Sequence, residues 1–167
     1  MKRNTGEMVM SRDTKLNEVY QQHPWRQHLA IFQPNWIDLI LSGQKTIESR
    51  FTKVKCLPFG RVNVGDTVYM KESGGLVRGM FTAKAVETYE NLTENDVFEI
   101  ADTYSEQIFA SHRFSEYVDT VICDKWYTSK YATLIHIENV SAFEQPFPYH
   151  KRDRRAWVVM EKPLVGV

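Results

Sequence analysis

Apolar and polar residues along this chain fall into short bursts whose period changes several times. Residues 28–32 form a compact apolar stretch of strand length, closed by Gln33 and Pro34. Pro34 suits the first turn of a helix, where its missing N–H costs nothing, and Trp36, Ile37, Ile40 and Leu41 then recur at helical spacing; a helix over 35–42 is predicted. Gly43 reaches the left-handed conformation cheaply and ends it. A period-two strand over 46–51 follows at once, with Thr46, Glu48 and Arg50 on one face and Ile47 and Phe51 on the other.

Further along, Val64, Gly65, Asp66 and Thr67 make a turn that feeds a strand over 68–71, and Gly74-Gly75 signals a hairpin into a long strand over 76–86. Gly79 inside that strand marks a bend or bulge. Thr93 is an N-cap for a helix, and shorter helical pieces are expected at 105–110 and 115–126. A β-branched strand over 131–140, a turn at 146–148 and a closing apolar strand over 156–160 complete the pattern. Short strands joined by turns, with few long helices, predict an α+β fold built on a small β-barrel. Residues 1–27 are polar and read as an N-terminal arm docked by Trp25, ahead of one barrel domain over 28–167.

Composition narrows the function without naming it. At 167 residues one core suffices. Lys+Arg and Asp+Glu are both 21, which excludes a globally basic nucleic-acid binder, but the charges are unevenly spread. Lys45, Arg50, Lys53, Lys55 and Arg61 gather against Glu48 alone, while residues 87–106 carry acids with no Lys or Arg among them. A second basic cluster, His150, Lys151, Arg152, Arg154 and Arg155 around Asp153, precedes the last strand. Cys56 and Cys123 lack partners at zinc-finger spacing, so neither a metal site nor a disulfide framework is expected, and no cofactor is implied. The opening residues lack the apolar run of a signal peptide and nothing approaches a membrane span, so a cytoplasmic protein without a membrane partner is expected.

The chemistry concentrates at the helix-to-strand corner. Lys45, Glu48 and Arg50 in six positions could line a ligand cleft, form a structural salt bridge, or decorate a solvated edge. Single-stranded or flipped-base recognition needs a positive groove with stackable rings, and Trp36, Phe51 and Phe59 lie near the cations, Phe59 being the ring expected to be exposed. Lys151, Arg152 and Arg154 would then serve as a phosphate-contacting rim; neutralising about four phosphates gives a slope of log K against log salt near −3. For hydrolysis, Lys45 would have to lose roughly 3 to 5 kcal/mol of its preference for the charged state to act as a base. A Lys45–Glu48 ion pair would instead hold it charged, and in a regular strand the two fall on opposite faces. Solvated helix faces account for most acidic runs; a protein partner on these helices is the third reading.

These residues resemble an ASCH domain, of the PUA-like superfamily of small β-barrels. The similarity rests on Gln33-Pro34 before the apolar helix, on the Gly43-x-Lys45-Thr46-Ile47-Glu48-x-Arg50 corner, and on the Val64-Gly65-Asp66 turn, and it covers roughly residues 29–161. The resemblance implies a barrel of five to six strands with flanking helices, here with an acidic helical insertion, and a cleft lined by the corner and proposed for RNA. Some small members are amidohydrolases that deacetylate N4-acetylcytidine with a Lys, a Thr three residues later and a Glu on the helical excursion. Lys45 matches the lysine, Glu48 stands where the threonine would be, and Glu99 is the local match for the distal acid.

Overall fold

The computed structural model describes residues 26–110, 126–160 and Leu164. Nine elements follow in chain order: β1 (Gln27–Phe32), α1 (Pro34–Leu41), β2 (Ile47–Thr52), β3 (Thr67–Glu72), β4 (Val77–Glu90), α2 (Glu94–Thr103), α3 (Ser105–Phe109), β5 (Tyr131–Phe147) and β6 (Trp157–Met160). The arm and the helical piece expected at 115–126 fall almost wholly outside the described residues, and Trp126 itself lies in a turn.

The strands form one six-stranded mixed sheet in the order β2-β5-β4-β3-β1-β6, with β1 and β3 parallel and every other pair antiparallel. The sheet curls into a half-barrel with flanking helices, so the expected α+β architecture is present, open between its outer strands β2 and β6. Alternation assigns each strand's two faces. Along β1, Ala30 and Phe32 enter the core that α1 covers, while Leu29 and Ile31 enter a second core on the other face. Burial on both faces explains why β1 and β3 read as nearly continuous apolar runs. A third cluster lies under α2 and α3, where Val97, Ile100 and Ile108 meet Ile47 of β2 and Leu134 of β5.

Gly79 does mark an irregularity. The β3–β4 and β4–β5 registers both shift beside it, and a Cβ there would lie 2.4 Å from the Ser141 carbonyl oxygen. The turn expected at 146–148 is corrected, because β5 continues through Pro146 to Phe147. Val77 pairs with Phe147 and Gly79 with Ala142, so Pro146 sits in an extra stretch of β5 where no ladder donor is required of it. In α2, the capping box is complete: Asp96 N–H donates to Thr93 Oγ1 at 3.2 Å and Thr93 N–H to Asp96 Oδ2 at 2.7 Å. Among the described residues no helix is long and apolar enough to cross a membrane.

Candidate functional site: a charged corner at the open seam

Gly43, at φ +75°, turns the chain out of α1, and the backbone N–H of Lys45 returns to the Leu39 carbonyl at 2.9 Å. The strand proper begins only at Ile47, so Lys45 stands before the ladder. That irregularity removes the geometric objection to a Lys45–Glu48 pair: Lys45 Nζ lies 3.4 Å from Glu48 Oε2, and the two residues are 3% and 5% exposed. Within β2 the alternation holds. Ile47 and Phe51 pack into the cluster under α2 and α3, and Glu48 and Arg50 face the cavity.

The three charges are bound tightly. Lys45 Nζ also donates to the carbonyls of Ile47 at 2.6 Å and Ile108 at 2.9 Å, which with Glu48 engages all three ammonium donors. Burial lowers the Lys45 pKa from its ordinary value; Glu48 opposes this and Arg50 adds to it. Arg50 Nε donates to Glu48 Oε1 at 2.7 Å, and Nη2 to the Ile31 carbonyl at 3.0 Å. Its guanidinium lies over the rings of Phe32 and Trp157, at 5.1 and 5.3 Å. Two basic side chains thus share one carboxylate at this floor.

Above the floor opens a cavity of about 420 Å³, within the range of small-molecule sites. Its walls include Trp36, Phe109 and Trp126. Phe109 links the two indoles, with centroids 6.5 Å from Trp36 and 5.7 Å from Trp126. Lys45 Nζ sits 5.3 Å from the Trp36 centroid. The cavity therefore offers aromatic faces, a carboxylate acceptor and, among the described residues, the Arg50 donors beyond those held by Glu48 and Ile31.

The trio Lys45, Glu48 and Arg50 thus converges on one hollow, whereas the other site residues named from sequence do not all join it. Thr46 is exposed; its backbone N–H bonds the Gln107 carbonyl and its own carbonyl accepts from Ile137. Lys53, Lys55 and Arg61 are exposed and line no part of the cavity, and Lys55 pairs with Glu90 at 3.1 Å. Phe59 is half-buried rather than exposed, edge-on to Tyr131 at 5.3 Å and beneath Lys55. Glu99, exposed on α2, accepts from Asn95 and is not among the lining residues. Lys151 and Arg154 line a second hollow, which also takes in Ile31 and Ala156 of the first; Arg152 is exposed in the same loop.

Phe109, Trp126 and Trp157 escaped sequence reasoning, since isolated rings far from the corner carry no signal of where the fold delivers them. Asp66 also does more than brace its turn. It accepts from Asn63 N–H at 2.8 Å, from Arg26 N–H at 2.8 Å and from fully buried His28, whose Nε2 lies at 3.0 Å. Burial pushes the Asp66 carboxyl up, but these hydrogen bonds, His28's first, outweigh it and hold the carboxyl below its usual value. Trp157 Nε1 donates to His28 Nδ1 at 3.1 Å, so the ring beneath Arg50 is anchored through His28 to the turn at Asp66.

No family model and no curated protein matches this chain. Solved structures do. The crystal structure of ASCH from Zymomonas mobilis matches with a TM-score of 0.58 at 15% identity, over 81% of this chain and 88% of that one. Two point mutants of the same protein match with the same TM-score over 91% and 89% of their chains. The half-barrel with its flanking helices is an ASCH-like fold.

Proposed function

We propose that this protein binds RNA or a modified nucleoside in the cleft at the helix-strand corner. The observation that carries the reading is the Lys45–Glu48–Arg50 floor, two basic side chains on one buried carboxylate, under a cavity walled by Trp36, Phe109 and Trp126. Rings hold a base by stacking, Glu48 accepts from an exocyclic amine or ring N–H, and Arg50 donates to a carbonyl or phosphate. Titration with cytidine, N4-acetylcytidine and single-stranded RNA, followed by tryptophan fluorescence, tests it. Arg50→Lys keeps the charge but loses the fork that spans Glu48 and Ile31, and should weaken binding at least tenfold. Affinity unchanged in that variant would remove Arg50 from the site, and no binding by any of the three ligands would end the proposal.

A second reading, a small amidohydrolase acting on N4-acetylcytidine-type nucleosides, draws support from the lowered pKa of Lys45 beside a carboxylate. Against it, the Lys45 ammonium is engaged by three acceptors, and a base must first release a proton. Turnover of N4-acetylcytidine that vanishes in Lys45→Ala would favour this reading; turnover absent or indifferent to the substitution would dismiss it.

A further inference from the structure

Resting on the proposed base-binding reading, we infer that the ligand carries a phosphate, seated in the second hollow beside the corner cleft, so that the protein takes nucleotides or single-stranded oligonucleotides in preference to free nucleosides. The two hollows share Ile31 and Ala156, which are joined by an Ile31 N–H to Ala156 carbonyl bond of 2.9 Å. The second hollow measures about 540 Å³ and is lined by Lys71, His150, Lys151, Arg154 and Arg155, with no acid among its lining residues.

The cations there are held in two ways. Lys71 is fixed by the hairpin, donating to the carbonyls of Glu72 at 3.1 Å and Gly75 at 2.6 Å, which leaves one ammonium donor. Lys151 and Arg155 share Asp153, at 3.0 Å and, through Arg155 Nε, 2.8 Å. Arg154 and His150 have no partner among the described residues. One carboxylate against Lys151, Arg152, Arg154 and Arg155 leaves the loop with a surplus of three positive charges. A base on the aromatic wall and a phosphate among these cations would lie to either side of the Ile31–Ala156 backbone pair, and an Arg fork is the side chain suited to a phosphate.

The test compares cytidine, cytidine 5′-monophosphate, cytidine 3′-monophosphate, an oligocytidine tetramer and an abasic tetramer at low salt, in wild type and Arg154→Ala. Arg154 is exposed, so its removal spares the fold. Phosphorylation should raise affinity about tenfold, one charge-assisted contact, and Arg154→Ala should abolish most of that gain while leaving cytidine unaffected. Gain with a monophosphate identifies a free nucleotide as sufficient; gain with the tetramer alone identifies a strand. Either supports the inference. Equal affinity for cytidine and every phosphorylated probe overturns it, as does a gain indifferent to Arg154→Ala. An abasic tetramer binding as well as oligocytidine, with the same Arg154 dependence, supports the phosphate hollow and removes the base cleft, so the two failures are distinct.

Discussion

Replacing Glu48 by Gln keeps the size of the side chain and removes its charge, leaving buried Lys45 and part-buried Arg50 side by side with no carboxylate between them. At an effective dielectric constant near 20, a charge pair at the 3.4 Å of Lys45 and Glu48 is attracted by about 5 kcal/mol. Arg50, at 2.7 Å, adds a comparable amount, and dehydrating the carboxylate takes back several kcal/mol. The net expected loss for Glu48→Gln is about 3 to 5 kcal/mol, the range for breaking a buried pair from one side. In urea that moves the unfolding midpoint down by roughly 2 M. The variant also changes the pH dependence. Burial, against Glu48 and with Arg50, lowers the folded-state pKa of Lys45 below 10.5, so between those values the unfolded chain binds more protons and stability rises with pH. Removing Glu48 lowers the folded value further and widens that window towards neutrality. Glu48→Gln should therefore gain more stability than wild type between neutral and mildly alkaline pH, and Lys45→Met in the same background should recover part of the loss. A destabilisation under about 1 kcal/mol, with no change in pH dependence, would mean that water already screens the trio and that the floor of the cleft is a solvated edge.

Three further substitutions probe the frame around the site. Asp66→Asn should cost about 1.5 to 3 kcal/mol, because three donors lose a charged acceptor. Since the Asp66 carboxyl is held below 3.8, its contribution is present above that pH and fades as pH falls through the folded value; urea titrations across acid pH should show wild type and variant converging there. Gly79→Ala should lower stability by about 1 to 3 kcal/mol in thermal melts, as the new methyl would meet the Ser141 carbonyl oxygen at 2.4 Å. Thr93→Ala should cost about 1 kcal/mol and speed amide exchange in the first turn of α2, where Asp96 N–H loses its acceptor.

Local signals carried the elements well where one residue type had one use. Gln33-Pro34 opens α1, Gly43 closes it, Gly79 marks the bulged crossing, and Thr93 caps α2. Alternation placed Ile47 in the core and Glu48 and Arg50 opposite it, because a strand leaves no other option. Proximity in sequence misled for the basic loop. Lys53, Lys55 and Arg61 follow the far end of β2, where Thr52 pairs with Tyr131, and there Lys55 reaches Glu90 rather than the cleft. The acids over 87–106 likewise have separate employments: Asp96 caps a helix, Glu90 answers Lys55, and Glu87 accepts from Tyr89 at 2.6 Å and Tyr104 at 3.1 Å while lying 2.6 Å from His136 Nε2. No run of like charges distinguishes these roles before the chain is folded.

The position of the cleft follows from an unclosed sheet. β2 and β6 are its outer strands, and a closed barrel would place a backbone ladder between them. Arg50 reaches across instead: its fork holds Glu48 on β2 and the Ile31 carbonyl on β1, and its plane covers Trp157 at the start of β6. Ile31 already gives its N–H to Ala156, just ahead of β6, so with Arg50 on its carbonyl both of its backbone groups are satisfied. A side chain thus substitutes for ladder bonds, and the space a further pair of strands would have filled remains open to a ligand. The arrangement ties shape to charge at a single residue. Lysine at position 50 would still neutralise Glu48, but a point charge cannot hold Glu48 and Ile31 together, so the cleft would lose its form while keeping its electrostatics.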